Sequence, residues 1–286
     1  MSRFVAAESL EQALELLARG GAAVLAGGTD LMVRLRRAKL AGGRTPETLL
    51  DVTGLKELNR LDLAGDEPYL GAAVTFARLA ADRTARALYP VLAQAAASVG
   101  SVQIRHLGTI GGNAANASPA ADGVSALTAL GAAAEIASPQ GRRLCPIEEL
   151  IAAPYRNALR TDELILGFRL DRLPKGTSQR FAKVGRRRAV SVARLNVAVC
   201  LDKDLKRPRV VLGSCFPSPR RLTEVEALLA AGPAGPELWL AAGRKAAGNF
   251  TTICGWRASA SYKVPAVARF VAATLAEAWA GLESEP

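Results

Sequence analysis

The chain has 286 residues, half of them apolar and 22% charged, so it holds material for two domains or one large composite domain, and disordered and collagen-like classes are excluded. No stretch of about 18 apolar residues runs without a charge, and Met1 to Gly20 carries Glu8, Glu11 and Glu15 instead of a basic-then-apolar leader, so a protein without a membrane span in the cytoplasm is expected. The net charge of +11, from 29 Arg and 8 Lys against 26 acids, admits a nucleic acid, an acidic protein or a phosphate-bearing cofactor as partner, but only 5% of residues are aromatic, poor material for base stacking.

In chain order, Ser9-Leu10-Glu11-Gln12 fits a capping box, and Leu10, Ala13, Leu14 and Leu17 follow at helical spacing until Gly20-Gly21. Ala22 to Ala26 reads as a buried strand, Gly27-Gly28-Thr29-Asp30 as a tight turn, Leu31 to Arg37 as a helical turn and Thr48 to Val52 as a strand. A hairpin is expected around Gly65-Asp66, helices over Phe76 to Ala81 and Pro90 to Val99, and a polar glycine-rich loop over Arg105 to Asp122. Gly123 to Leu130 reads as a helix of small residues, followed by a hairpin around Pro139-Gln140-Gly141 and a strand at Leu164 to Leu170. Leu173 to Thr177 is the best linker. Beyond it come strands at Gln179 to Val184, Leu195 to Leu201 and Arg209 to Ser214, then helices at Thr223 to Ala231, Glu237 to Gly248 and Val264 to Trp279. The class is therefore α+β, divided at 1–56, 57–172 and 177–286.

Cys145, Cys200, Cys215 and Cys254 are never closer than 15 positions, which leaves no C-x-x-C for a zinc or iron–sulfur site, and His106 is the only histidine. No metal site and no catalytic set is expected in this chain. Two loops carry the chemistry: Leu25-Ala26-Gly27-Gly28-Thr29-Asp30-Leu31 and Thr109-Ile110-Gly111-Gly112-Asn113, the second running on to Ser118 and Asp122. Paired glycines expose successive backbone N–H groups that hold phosphate oxygens. Neither loop is a Walker A loop or a G-x-G-x-x-G fingerprint, and each is also compatible with a plain tight turn. His106 is either a proton donor beside the second loop or a capping histidine, and Arg186 to Arg188 either a phosphate-attracting run or a solvated face.

These two signatures resemble those of the FAD-binding medium subunit of the molybdenum hydroxylases, of the carbon monoxide dehydrogenase and xanthine dehydrogenase type. Asp162-Glu163-Leu164-Ile165, Phe181 to Arg187 and Gly255 to Lys263 continue the resemblance in order. It implies a two-subdomain FAD-binding fold of the vanillyl-alcohol-oxidase (PCMH) type and a C-terminal α+β domain. It implies non-covalent FAD held by residues 25–31 and 109–113, with Ser118, Asp122, Ile165 and Lys183 near it. It further implies a large molybdopterin subunit, a small subunit with [2Fe-2S] clusters, and electrons passed through this chain to NAD or another acceptor, with neither nucleic acid nor membrane as partner. A stand-alone flavin oxidoreductase of the same fold and a basic nucleic-acid-binding protein are the alternatives.

Overall fold

The computed structural model describes residues 2–187, 190–256 and 258–283; Arg188 of the basic run and Arg257 lie outside the described residues. Among the described residues three sheets of three to five strands succeed one another, with a two-stranded ribbon between the second and the third.

The first is wholly parallel. Strand β1 (Arg3–Ala6) leads into α1 (Leu10–Ala18), β2 (Ala22–Leu25), α2 (Leu31–Leu40) and β3 (Thr48–Asp51), which inserts between β1 and β2. Ser9 caps α1 by accepting from Gln12 N–H, and Gln12 Oε1 accepts in return from Glu8 N–H, one residue earlier than a standard box. Leu10, Ala13 and Leu17 form its buried stripe. Strand β1 lacks alternation in burial and had no signal in the sequence. Helix α2 is longer than the expected turn and buries no residue.

The second sheet is antiparallel, in the order β4-β5-β10-β6-β7. It is built from β4 (Leu61–Asp62) and β5 (Tyr69–Gly71), and, after a helical excursion, from β6 (Ala133–Ser138), β7 (Gly141–Pro146) and β10 (Leu164–Arg169). Helices α3 (Phe76–Ala81), α4 (Arg83–Leu88) and α5 (Pro90–Ser98) are followed by α6 (Val102–Leu107) and α7 (Ile110–Asn116). The last two correct the expectation of a loop over 105–122. Ser101 caps α6 through Ile104 N–H, and Thr109 caps α7 through Gly112 N–H, so glycines that read as loop occupy a helix's first turn. Helix α8 (Asp122–Ala129) is buried at every position, which its small residues permit. A short helix α9 (Ile147–Leu150) and the ribbon β8 (Ile151–Ala153) and β9 (Arg156–Asn157) complete this part.

The third sheet orders β11 (Ser178–Val184), β12 (Leu195–Leu201), β13 (Arg209–Gly213) and β14 (Arg220–Arg221), all antiparallel. Successive side chains alternate faces. Leu195, Val197, Val199 and Leu201 enter a core shared with α10 (Thr223–Ala231), α11 (Pro236–Cys254) and α12 (Ala260–Glu283). Ala198 and Cys200 enter the main core on the other face, where α5 and α8 pack. Strand β12 is thus buried on both faces and welds the C-terminal part to the rest. No helix among the described residues is long and apolar enough to cross a membrane.

Candidate functional site

A cleft of about 580 Å³ opens between β2 of the first sheet, helices α6 and α7, and the start of β10. Pockets for cofactor-sized ligands span about 300–1,000 Å³. Ala26, Gly27, Gly28, Thr29, Asp30 and Leu31 line one wall. Thr109, Gly111, Gly112 and Asn113 line the cleft from α7, and Ile165 from β10.

The two glycine loops do different things. In the second, the N–H groups are already engaged: Ile110 donates to Val74 O, Gly111 to Ala72 O, Gly112 to Thr109 Oγ1 and Asn113 to Thr109 O. A Cβ on Gly111 would meet Ala72 at 2.5 Å, so glycine is needed there for backbone to lie against backbone. In the first loop the N–H groups of Gly27 to Leu31 donate no hydrogen bond among the described residues. They form an open run at the N-terminus of α2, whose Asp30 N-cap makes no side-chain capping bond. Unsatisfied N–H groups and the positive end of a ten-residue helix favour an anion. Gly28 sits at φ +68°, and Gly27 lies so close to the backbone of Leu107 that no Cβ fits. Asn113 Oδ1 is turned away from the cleft, buried beside Gly123 of α8 with no hydrogen-bond partner among the described residues. An open N–H run at a helix N-terminus beside a cleft of this volume fits the phosphates of a nucleotide-type cofactor such as FAD.

The remaining expected residues stand outside the lining. Leu25 ends β2, and Ile110 is fully buried core. Ser118 Oγ accepts from Ala120 N–H in the turn before α8. Asp122 and Lys183 meet each other: the Lys183 ammonium donates to Asp122 Oδ2 and Ser98 O, Asn196 Nδ2 donates to Asp122 Oδ1, and Ser125 Oγ donates to Asn196 Oδ1. Burial pushes the Asp122 carboxyl up, opposed by Lys183, Asn196 and Ser98. This group lies one residue behind the wall, since Ser98 precedes the cleft residue Val99.

Several lining residues had no place in the sequence reading. Arg34, Asn116, Tyr155, Asn157 and Arg160 all face the cleft. Tyr155 has φ +59° and no local signal announces it. Glu163 was visible in the Asp162-Glu163 motif but not as a brace. Its carboxylate takes a bidentate pair from Arg143 at 2.7 and 2.9 Å and the Arg160 N–H at 2.8 Å, which together hold it below the usual carboxylate range. His106, in the last turn of α6, does not line the cleft, and neither does any cysteine. No disulfide joins the described cysteines, and burial pushes the Cys200 and Cys215 thiols up to about 12, far from reactive.

Fold and cleft together define an α+β protein that binds a nucleotide-type cofactor between a parallel unit and a mixed helix–sheet unit. The model of the FAD binding domain in molybdopterin dehydrogenase matches residues 1–172, and that of the CO dehydrogenase flavoprotein C-terminal domain matches 180–278. The chain belongs to this family of oxidoreductases as an FAD-binding subunit. It is 30% identical to the caffeine dehydrogenase subunit beta of Pseudomonas sp. (strain CBB1), over 82% of this chain and 80% of that one. It is 28% identical to the nicotine 6-hydroxylase medium subunit of Paenarthrobacter nicotinovorans over 97% of each. The structure of carbon monoxide dehydrogenase from Hydrogenophaga pseudoflava superposes with a TM-score of 0.89 at 26% identity, covering 98% of both chains.

Proposed function

We propose that this chain is the electron-transfer subunit of a cytoplasmic molybdenum-containing hydroxylase. In this reading it takes electrons from the iron–sulfur clusters of a small partner subunit and passes them to NAD or another acceptor. A large molybdopterin subunit oxidises the organic substrate. The observation that carries this reading is the open N–H run of Gly27 to Leu31 facing a cleft that offers phosphate donors but no histidine or cysteine. Bound FAD supplies the reversible uptake of electrons.

The residues of the chain bind and orient. Ala26 to Leu31 hold the pyrophosphate through backbone N–H groups, and Arg34 adds positive charge at the same wall. Thr109, Gly111, Gly112, Asn113 and Ile165 shape the opposite wall. Leu25, Ile110, Ser118, Asp122 and Lys183 would support the site from behind, Asp122 and Lys183 by pinning α8 to the third sheet. That neither histidine nor cysteine is among the lining residues supports non-covalent attachment.

The test is reconstitution. Substrate oxidation by the two partner subunits with an artificial dye as acceptor should survive without this chain, whereas transfer to the physiological acceptor should require it. Full substrate turnover by the flavin-loaded chain alone would overturn the reading in favour of a stand-alone oxidoreductase.

A further inference from the structure

Strand β12 faces two cores, and on the side turned to α5 and α8 it carries Asn196, Ala198 and Cys200. Ala198 and Cys200 suit that apolar core. Asn196 does not, yet it is fully buried, and a buried amide is costly unless its hydrogen bonds are made. The fold makes room for it. The residue opposite in β13 is Gly213, where a Cβ would stand 2.1 Å from Asn196 Oδ1 and 2.6 Å from Ser125 Oγ. The residue opposite in β11 is Lys183. Lys183, Asn196 and Gly213 therefore form one row across the third sheet, against the start of α8.

The polarity of the row has one solution. The charged Asp122 carboxylate only accepts, so Asn196 must turn Nδ2 to it, and does at 2.9 Å. That leaves Asn196 Oδ1 as an acceptor and fixes Ser125 Oγ as its donor, at 2.8 Å. The second carboxylate oxygen takes the Lys183 ammonium and the Ser98 hydroxyl. Lys183 also donates to Ser98 O at 3.0 Å. The groups acting on Asp122 are thus Lys183 from β11, Asn196 from β12 and Ser98 from α5, while β13 brings Gly213 to this row. Burial works against the charged carboxylate, and these three groups support it. The cluster meets the cleft lining on two sides. Ser98 precedes the lining residue Val99. Gly123, next to Asp122, packs so closely on α7 that a Cβ would stand 2.7 Å from Ile110 Cδ1 and from Oδ1 of the lining residue Asn113.

We propose that Asn196, oriented by Ser125, is a positioning residue for the FAD cleft: its amide aims the Asp122 carboxylate at Lys183 and so holds α8 and α5 against the lining they support. Asn196 itself stands outside the lining and acts through Asp122. The proposal rests on the reading of the cleft as the FAD site and deepens it, by tying cofactor affinity to a residue of the C-terminal domain. The consequence is a pH dependence. Without the Asn196 N–H the carboxylate loses a bond that favours its charged form, and it takes up a proton at higher pH than in the wild type. A protonated Asp122 leaves Lys183 without its counter-charge, and α8 no longer braces α7.

The test is FAD titration of the apo-protein by fluorescence quenching over about pH 5 to 8, with circular dichroism at each pH as the check on folding. A hydrogen bond to a charged group is worth roughly ten- to hundredfold in an equilibrium, so the dissociation constant of Asn196→Leu should rise about tenfold or more towards the acid end, while that of the wild type stays within about threefold. Asp122→Asn/Asn196→Leu has no carboxyl to protonate and should lose this acid limb, whatever its affinity at neutral pH. Ser125→Ala is the milder variant and should show a smaller rise. Val199→Ala, on the other face of β12, should lower the melting temperature and keep the wild-type pH profile. A folded Asn196→Leu protein with a profile parallel to the wild type overturns the proposal while leaving FAD in the cleft. If that variant does not fold, a wild-type profile for Ser125→Ala overturns it equally. An acid limb that persists in the double variant, or that appears in Val199→Ala, assigns the effect to another group or to lost stability and also overturns it. Failure of the wild type to bind FAD overturns the reading of the cleft, and the proposal with it.

Discussion

Gly27→Ala is the sharpest test of the cleft. A Cβ built on Gly27 would stand 1.9 Å from Leu107 O, 2.5 Å from Leu107 C and 2.9 Å from Gly108 Cα. All three are backbone atoms, so no rotamer relieves the clash. Carbon and oxygen pack at about 3.5 Å, and the first loop must retreat from α6 by more than 1 Å. The loop carries the N–H run, so the retreat falls on the cofactor's phosphates. Overpacking of this kind costs about 1–3 kcal/mol. If the cost is borne by the bound state, FAD affinity falls roughly five- to hundredfold. Gly28→Ala meets only the flexible tips of Leu25 and Met32, at 3.2 and 3.3 Å, but must hold φ near +68°, at about 1–2 kcal/mol. Gly20→Ala carries a similar backbone cost at φ +79° with nothing within 4 Å, and Gly20 does not line the cleft. FAD titration of the apo-protein by fluorescence quenching, with circular dichroism as the check on folding, should weaken in the order Gly27→Ala, Gly28→Ala, Gly20→Ala, the last equal to wild type. An unchanged dissociation constant for a folded Gly27→Ala protein would refute the assignment of this loop.

Three further outcomes are expected. Acid precipitation should release intact FAD into the supernatant, identified by mass; a yellow pellet would show covalent attachment. Lys183→Met strands the buried Asp122 carboxylate and should cost about 3–5 kcal/mol, read as a lower melting temperature, with Asp122→Asn/Lys183→Met recovering part of it; equal melting of wild type and Lys183→Met would show that the pair adds nothing. Glu163 has its native pKa lowered from about 4.5, so its contribution to stability is present above that pH and is lost as pH falls through the lower native value; urea midpoints of Glu163→Gln should therefore show a shallower acid decline than wild type, and parallel curves would remove Glu163 from the account.

What could be read from the chain alone was local. The Ser9 cap, the turn glycines, the small-residue run of α8 and the apolar run of β12 are set by neighbours within one or two turns, and the sequence carries those neighbours. The two glycine segments were legible locally as candidate N–H nests, equally compatible with tight turns; the resemblance to a flavoprotein family, and not their spacing, tied them to a cofactor. Their different roles were not legible. Gly111 gives its N–H to Ala72 O and Gly27 packs on Leu107, contacts across 39 and 80 positions that only the assembled subdomains create. Helices α6 and α7 hid in an expected loop because their caps, Ser101 and Thr109, precede glycine-rich or short segments whose propensity is poor and whose helicity comes from packing. The pairing of Asp122 with Lys183 spans 61 positions, and β1 is held by β3 and not by its own pattern. Sequence periodicity records which face of an element is buried; it does not record against what. That is decided when long-range burial brings a carboxylate to an ammonium, and leaves the N–H groups of one loop open while closing those of the other.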